Sequence, residues 1–287
     1  MRGAAAGWVS GFLGVATFAG SLPATRLAVA DFDPVFLTAA RATIAAALGL
    51  MLLAALRQPP PAWRDLPSLA LTACGVVIGF PLLTALALQH ISSARSIVFV
   101  GMLPLCTALF GVLRAGERPR PAFWLFSAVG GGCVAAYALG EGGQAAVAGD
   151  ALMVAAVIVC GLGYVEGARL ARTLGGWQVI SWALALALPL MLPAAWITMP
   201  DSVGHVHAAA WLGLGYVSLF SMLIGFVFWY RGLALGGIAA VGQLQLLQPF
   251  MGLGLAAALL DEDVSYAMVG ATLAAVACVA GAKRFAG

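Results

Sequence analysis

The chain has 287 residues, of which 63% are hydrophobic and 9% charged; its mean hydropathy is +1.02 and its formal net charge +3. Soluble domains run at roughly 25% charged residues. So few ionic groups cannot coat a soluble globule of this size, which excludes a cytosolic enzyme, a nucleic-acid binder and a disordered chain, and makes a bilayer the natural solvent.

A membrane-spanning helix needs about 20 apolar residues. Segments of that kind, bounded by charge, proline and glycine, are read at 5–29, 34–56, 66–89, 93–114, 121–140, 148–171, 177–198, 209–231, 238–260 and 264–283. They are continuously apolar rather than alternating, so the expectation is helices and not barrel strands. The first follows a single Arg2, outruns a signal-peptide core and contains Pro23, and is expected to be retained as a span. Span two carries Arg41, roughly 12 Å in at helical rise, where a structural pair with an outer acid is expected. Span three holds Phe80 and Thr84; span four holds Arg95, Phe99, Leu103 and Pro104; span six holds Tyr164 and Glu166. Span eight ends in Phe228, Trp229 and Tyr230, and span nine opens with Gln243, Gln245 and Gln248 before Pro249. No long hydrophilic run supplies a separate soluble domain. Cys74, Cys106, Cys133, Cys160 and Cys278 all lie in apolar stretches without a CxxC pair, so neither a disulfide framework nor a zinc site is expected.

Charge placement sets the orientation. With the N-terminus inside, eleven of the 14 basic residues fall in inner segments, and the other three, Arg26, Arg41 and Arg95, fall within spans. Eight of the 11 acids (Asp31, Asp33, Glu141, Asp150, Asp201, Asp261, Glu262 and Asp263) are read into outer loops. The positive-inside rule then puts both termini in the cytoplasm of a bacterial inner membrane.

The chain also repeats itself. Pro104 to Glu117 reads PLCTALFGVLRAGE and Pro249 to Glu262 reads PFMGLGLAAALLDE; proline, glutamate and the later Cys133 and Cys278 all keep an offset of 145 residues. Two five-helix halves, 1–144 and 145–287, follow. Five is odd, so the second half enters the membrane inverted, the arrangement that underlies alternating access around a midplane site.

These residues carry a resemblance. The two P-x12-E segments, the Leu37-Thr38-Ala39-Ala40-Arg41 stretch and the run Ala87 to Ala94 (ALQHISSA) leading into span four resemble the drug/metabolite transporter superfamily in its ten-helix EamA-type branch, over essentially the whole chain. Within that branch the chain is most like bacterial exporters of aromatic and other neutral amino acids. It departs in having Trp182 near where a second span-two arginine would sit, and an Asp261-Glu262-Asp263 turn instead of a lone glutamate. The resemblance implies export, and a cavity between helices three, four, eight and nine with one and six as neighbours.

Polar groups inside spans are expensive and mark candidate sites. Arg95 is expected to bind a substrate carboxylate or to snorkel to the headgroups. Gln243 and Gln245 suit a zwitterionic ligand. Phe80, Thr84, Phe99, Leu103, Tyr164 and Trp229 complete a mixed wall for an amphipathic molecule. Glu166 is either an ion or proton site or a structural partner of Arg169 or Arg172. Pro104 and Pro249 mark kinks. Trp8, Trp63, Trp124, Trp177, Trp196 and Trp211 lie near span ends as interface anchors. Gly7-x3-Gly11, Gly75-x3-Gly79 and Gly232-x3-Gly236 permit close helix contacts. The His205-x-His207 loop beside Asp201 is read as solvated rather than metal-binding. No catalytic residue, cofactor or nucleic-acid partner is expected, and a monomer is favoured. The leading function is an exporter of small metabolites, with aromatic and neutral amino acids as cargo. The alternatives are a multidrug or organic-cation exporter, which would need Glu166 in the cavity, and a membrane-bound lipid-modifying enzyme.

Overall fold

A computed structural model describes residues 2–115, 120–140, 144–202, 204–236 and 241–285. Glu117, read as one end of the first P-x12-E segment, lies outside the described residues, as does Glu141. The described residues are helical throughout, without strands.

The chain opens with α1 (Arg2–Ala19) and α2 (Ser21–Ala28), broken at Gly20, then α3 (Pro34–Ala55). Asp33 caps α3, its carboxylate accepting from the backbone N–H groups of Val35 at 2.7 Å and Phe36 at 3.1 Å, with Pro34 pre-set in the first turn. The next helical run is α4 (Leu66–Thr72), a π-helical stretch (Ala73–Gly79) and α5 (Phe80–Ala87). It is followed by α6 (Ser93–Val100), α7 (Leu103–Ala115), α8 (Pro121–Gly140), α9 (Gln144–Ala171) and α10 (Gly176–Ile197). Then come α11 (Ala208–Tyr216), a second π-helical stretch (Val217–Ile224) and α12 (Gly225–Gly236). A 3-10 turn (Gly242–Leu247) leads into α13 (Gln248–Leu260), and α14 (Tyr266–Arg284) ends the fold.

Seven of the helical runs are long and apolar enough to cross a bilayer, and three shorter apolar helices lie within α8, the 244–260 run and α14. The observed helices match several expected segments within a few residues, but three features differ. The first and fourth expected segments are interrupted, at Gly20 and at Gly101–Met102. The third and eighth contain π-helix, which widens the coil and is frequent at functional sites. Pro104 and Pro249 occupy the first turn of α7 and α13, where a missing N–H is no loss, so they mark helix restarts rather than mid-helix kinks.

The principal interfaces are α1 on α12, α3 on α10, α8 on α14, and α9 on the 66–87 run. Lipid offers no hydrophobic drive for helix pairing, so close approach of small residues matters. A Cβ on Gly232 would lie 2.6 Å from the backbone nitrogen of Gly11, and one on Gly75 would lie 2.8 Å from the Cα of Gly163. Of the glycines picked out in the sequence, Gly11, Gly75 and Gly232 therefore sit at helix crossings.

Short connections divide the bundle into two ends. The acidic end holds Asp31, the start of α6, Asp150 and Glu262; the basic end holds Arg57, Arg114, Arg169 and Arg231. Asp150 is not the loop acid expected from sequence: it is a buried residue within α9.

Candidate functional site

A narrow cavity lies at the centre of the bundle. It is lined from α1 and α2 by Phe18 and Ser21, from α3 by Arg41, from the 66–87 run by Val76 and Phe80, and from α6 and α7 by Ile97 and Leu103. Tyr164 of α9, Ser221 in the second π-helix, Phe226 just after it, and Gln248 and Pro249 at the start of α13 complete the lining. The free space is about 30 Å³, room for a water or two and not for an amino acid. Both π-helical stretches border it.

One wall is aromatic. Phe18 packs edge-on to Phe226 at 4.9 Å between ring centroids, and Tyr164 lies 6.0 Å from Phe226 and 5.9 Å from Trp229. The lining also has a polar part. Ser21 and Ser221 share a hydrogen bond of 2.7 Å, and Arg41 Nη2 donates to Ser221 Oγ at 3.1 Å. Buried polar atoms are normally paired. Here Arg41 Nε, Gln248 Oε1, Gln245 Nε2 and Trp229 Nε1 find no hydrogen-bond partner among the described residues. Two of these, Arg41 Nε and Gln248 Oε1, belong to residues that line the cavity and give it an unpaired donor and an unpaired acceptor.

The residues predicted from sequence divide into groups. Phe80, Leu103, Tyr164 and Pro249 line the cavity. Trp229 and Gln245 stand behind Tyr164, Trp229 through its ring and Gln245 beside the hydroxyl. Thr84 is buried and bonds back to the carbonyls of Phe80 and Pro81. Phe99 faces away, into a separate apolar cleft of about 430 Å³ between α7, α8 and α9. Pro104 is buried near the α6–α7 break. The side chain of Gln243 lies outside the described residues.

Two predicted charges hold structural partners. Arg95 forms a two-pronged pair with Asp150, Nε to Oδ1 at 2.8 Å and Nη2 to Oδ2 at 2.7 Å, and its guanidinium stacks 5.1 Å over the Tyr137 ring. The carboxylate reader expected at Arg95 is thus already occupied by a carboxylate of the chain. Glu166 is fully buried and pairs with Arg114 at 2.6 Å and Arg169 at 3.3 Å, at the basic end and away from the cavity. The structural reading of Glu166 anticipated Arg169; Arg114 is the stronger partner.

Arg41, Ser21, Ser221, Phe18, Phe226 and Gln248 complete the site. Arg41 was visible in the sequence as a span-embedded cation, but no acid meets it: among the described residues no carboxylate lies within 4.0 Å. The two serines gave no signal, because their meeting depends on contact across 200 residues.

Further ties close the acidic end. Glu262 accepts from Ser93 N at 3.0 Å, Ser93 Oγ at 2.8 Å and Ala94 N at 2.7 Å, capping α6 from the far half of the chain. Asp261, at φ 53°, turns the chain in the left-handed region so that Glu262 reaches back. Asp31 accepts from His207 N at 2.7 Å and faces His207 Nδ1 at 2.9 Å; the backbone bond above all holds its carboxyl below its ordinary value, burial opposes it, and the imidazole adds to the lowering.

The sequence matches the EamA-like transporter family twice, over residues 5–137 and 147–282. The chain belongs to the EamA-like transporter family. It is therefore a multi-pass membrane transporter and not an enzyme. This EamA-like transporter is 65% identical to "Uncharacterized transporter YdeK" of Bacillus subtilis (strain 168), over 98% of both chains. It is 25% identical, over 83% of its own length and 80% of the relative's, to a "Probable terminal-alkyne amino-acid exporter" of Streptantibioticus cattleyicolor. A solved structure described as "Crystal structure of protein" superposes with a TM-score of 0.67 at 22% identity, covering 97% of this chain and 96% of that one, which establishes a shared fold.

Proposed function

We propose that this transporter exports small neutral amino acids with aromatic or large apolar side chains from the bacterial cytoplasm, by alternating access around the central cavity. The observation that carries the reading is the cavity itself: aromatic rings share its lining with the unpaired polar atoms of Arg41 and Gln248, a mixture that suits a small amphipathic zwitterion. The substrate contacts are Arg41, Gln248, Tyr164 and Phe80, with Phe18, Leu103 and Phe226 as apolar wall and Gln245 and Trp229 supporting Tyr164. A weak relative described as an amino-acid exporter is consistent with this cargo.

The scaffold is read as ten spans, the seven long apolar helices plus the three shorter ones, forming two inverted halves, 1–144 and 145–287, with both termini cytoplasmic. The double family match and the two π-helical stretches, which start 144 residues apart at Ala73 and Val217, support the duplication. Two-fold packing supports it too: Cys133 and Cys278, equivalent in the repeat, approach each other where α8 meets α14.

The test is counterflow in proteoliposomes of the purified protein. Liposomes preloaded with unlabelled phenylalanine should accumulate labelled phenylalanine, and methionine should compete, with or without a pH gradient. Proton-driven uptake of methyl viologen without amino-acid exchange overturns the reading in favour of an organic-cation exporter.

A further inference from the structure

Four charged side chains among the described residues are buried in the interior of the bundle with little or no exposure: Arg95 with its partner Asp150, Glu166, and Arg41. Arg95 and Glu166 each face opposite charge. Arg41 does not. It is 5% exposed, its recorded hydrogen bond goes to the neutral hydroxyl of Ser221, and its Nε is without a partner among the described residues. An uncompensated cation in a low-dielectric interior is costly, and a carboxylate placed against it recovers that cost.

The geometry of the other arginine indicates how. Arg95 grips Asp150 with the edge formed by Nε and Nη2. On Arg41 that same edge is held at Nη2 by Ser221 and is open at Nε. Ser221 is itself steadied by Ser21, so the guanidinium is oriented before any ligand arrives. The edge belongs to a residue that lines the cavity together with Phe18, Tyr164 and Phe226; among the described lining residues none is acidic.

We propose that Arg41 is the anchor for a substrate carboxylate, so that the cargo is an organic acid or zwitterion with an apolar body, and that amines lacking a carboxylate are not carried. This rests on the central cavity being the transport site. Gln248 Oε1, an acceptor without a partner, is placed for an ammonium but is not required. Lysine cannot reproduce a two-pronged grip, so Arg41→Lys is not a conservative change here.

The experiment separates binding from flux. Thermal stabilisation of the purified full-length protein is measured with phenylalanine, 3-phenylpropionate and phenethylamine. The first two should stabilise the wild type and the third should not. Arg41→Gln should weaken the response to both acids by at least about 30-fold, Arg41→Lys should fall between, and Ser221→Ala should lose a few-fold. If Arg41→Gln does not fold, Arg41→Lys and the amine comparison decide. Stabilisation by phenethylamine equal to that by phenylalanine overturns the anchor, as does a wild type indifferent to both acids or an Arg41→Lys protein that binds them normally. Flux is then followed in proteoliposomes. Acid binding without flux keeps the anchor and removes the transport site; flux of phenethylamine keeps the transport site and removes the anchor.

Discussion

Arg95 and Arg41 are nearly matched in burial, at 6% and 5% exposure, and opposite in company. Arg95 sits at the acidic end with a carboxylate on its fork and a tyrosine ring beneath it. Arg41 sits at the bundle centre with one hydroxyl. The first arrangement is complete within the chain, so it belongs to the architecture. The second is incomplete, so it awaits something from outside. An intramembrane arginine is a site by default, but the partner, not the arginine, decides which kind.

The contrast predicts opposite signs on mutation. Asp150→Ala strands Arg95 in the interior and should cost about 3–5 kcal/mol, read as a large fall in Tm and yield in detergent. Adding Arg95→Met should recover most of the loss, since no unpaired charge remains. An Asp150→Ala protein as stable as wild type would dissolve the distinction between the two arginines. The next largest effect falls on Glu262, whose three bonds to α6 also complete the acidic end; Glu262→Ala should cost about 2 kcal/mol, with Glu262→Gln losing less because one acceptor oxygen remains. Arg41→Met should leave stability unchanged or raise it by about 1 kcal/mol, since it removes an uncompensated charge, while abolishing stabilisation by 3-phenylpropionate. A strongly destabilised Arg41→Met would place Arg41 with Arg95 as architecture.

The smallest effect is pH-dependent and confined to the acidic end. Asp31 has its carboxyl lowered from an ordinary value of 3.8. A lowered folded value means that the contribution is present above the unfolded value and is lost as pH falls through the folded one. The Tm difference between wild type and Asp31→Asn should therefore be small and constant at neutral pH, begin to shrink as pH falls past about 3.8, and vanish once pH is below the lowered folded value. Its persistence at lower pH would detach the Asp31–His207 contact from the carboxylate charge.

Much of the scaffold was legible because long apolar runs bounded by charge leave few alternatives. Expected segment 34–56 and observed Pro34–Ala55 nearly coincide. Breaks inside segments were not legible. A π-helix has no hydrophobic period of its own in a run that is apolar on every side, so Ala73–Gly79 and Val217–Ile224 gave no sign. The site was legible by residue type and not by partner. Tyr164 and Phe80 were picked out as mid-span aromatics and line the cavity, whereas Phe99, chosen for sharing a helix face with Arg95, follows that face into another cleft. Arg95 holds the acid partner that was expected of Arg41, because Asp150 was read as a loop acid when it is part of α9.

The reach between Arg41 and its hydroxyl has a consequence for how the protein is made. Ser221 lies 180 residues further along the chain. At a synthesis rate of roughly 5–20 residues per second, the arginine waits on the order of ten seconds or more before that serine exists. Throughout that interval span two must hold a guanidinium in the bilayer alone, which a long side chain near one end of α3 does by reaching for the headgroups. The final position of Arg41 is therefore taken late, when the second half of the chain arrives and draws it inward.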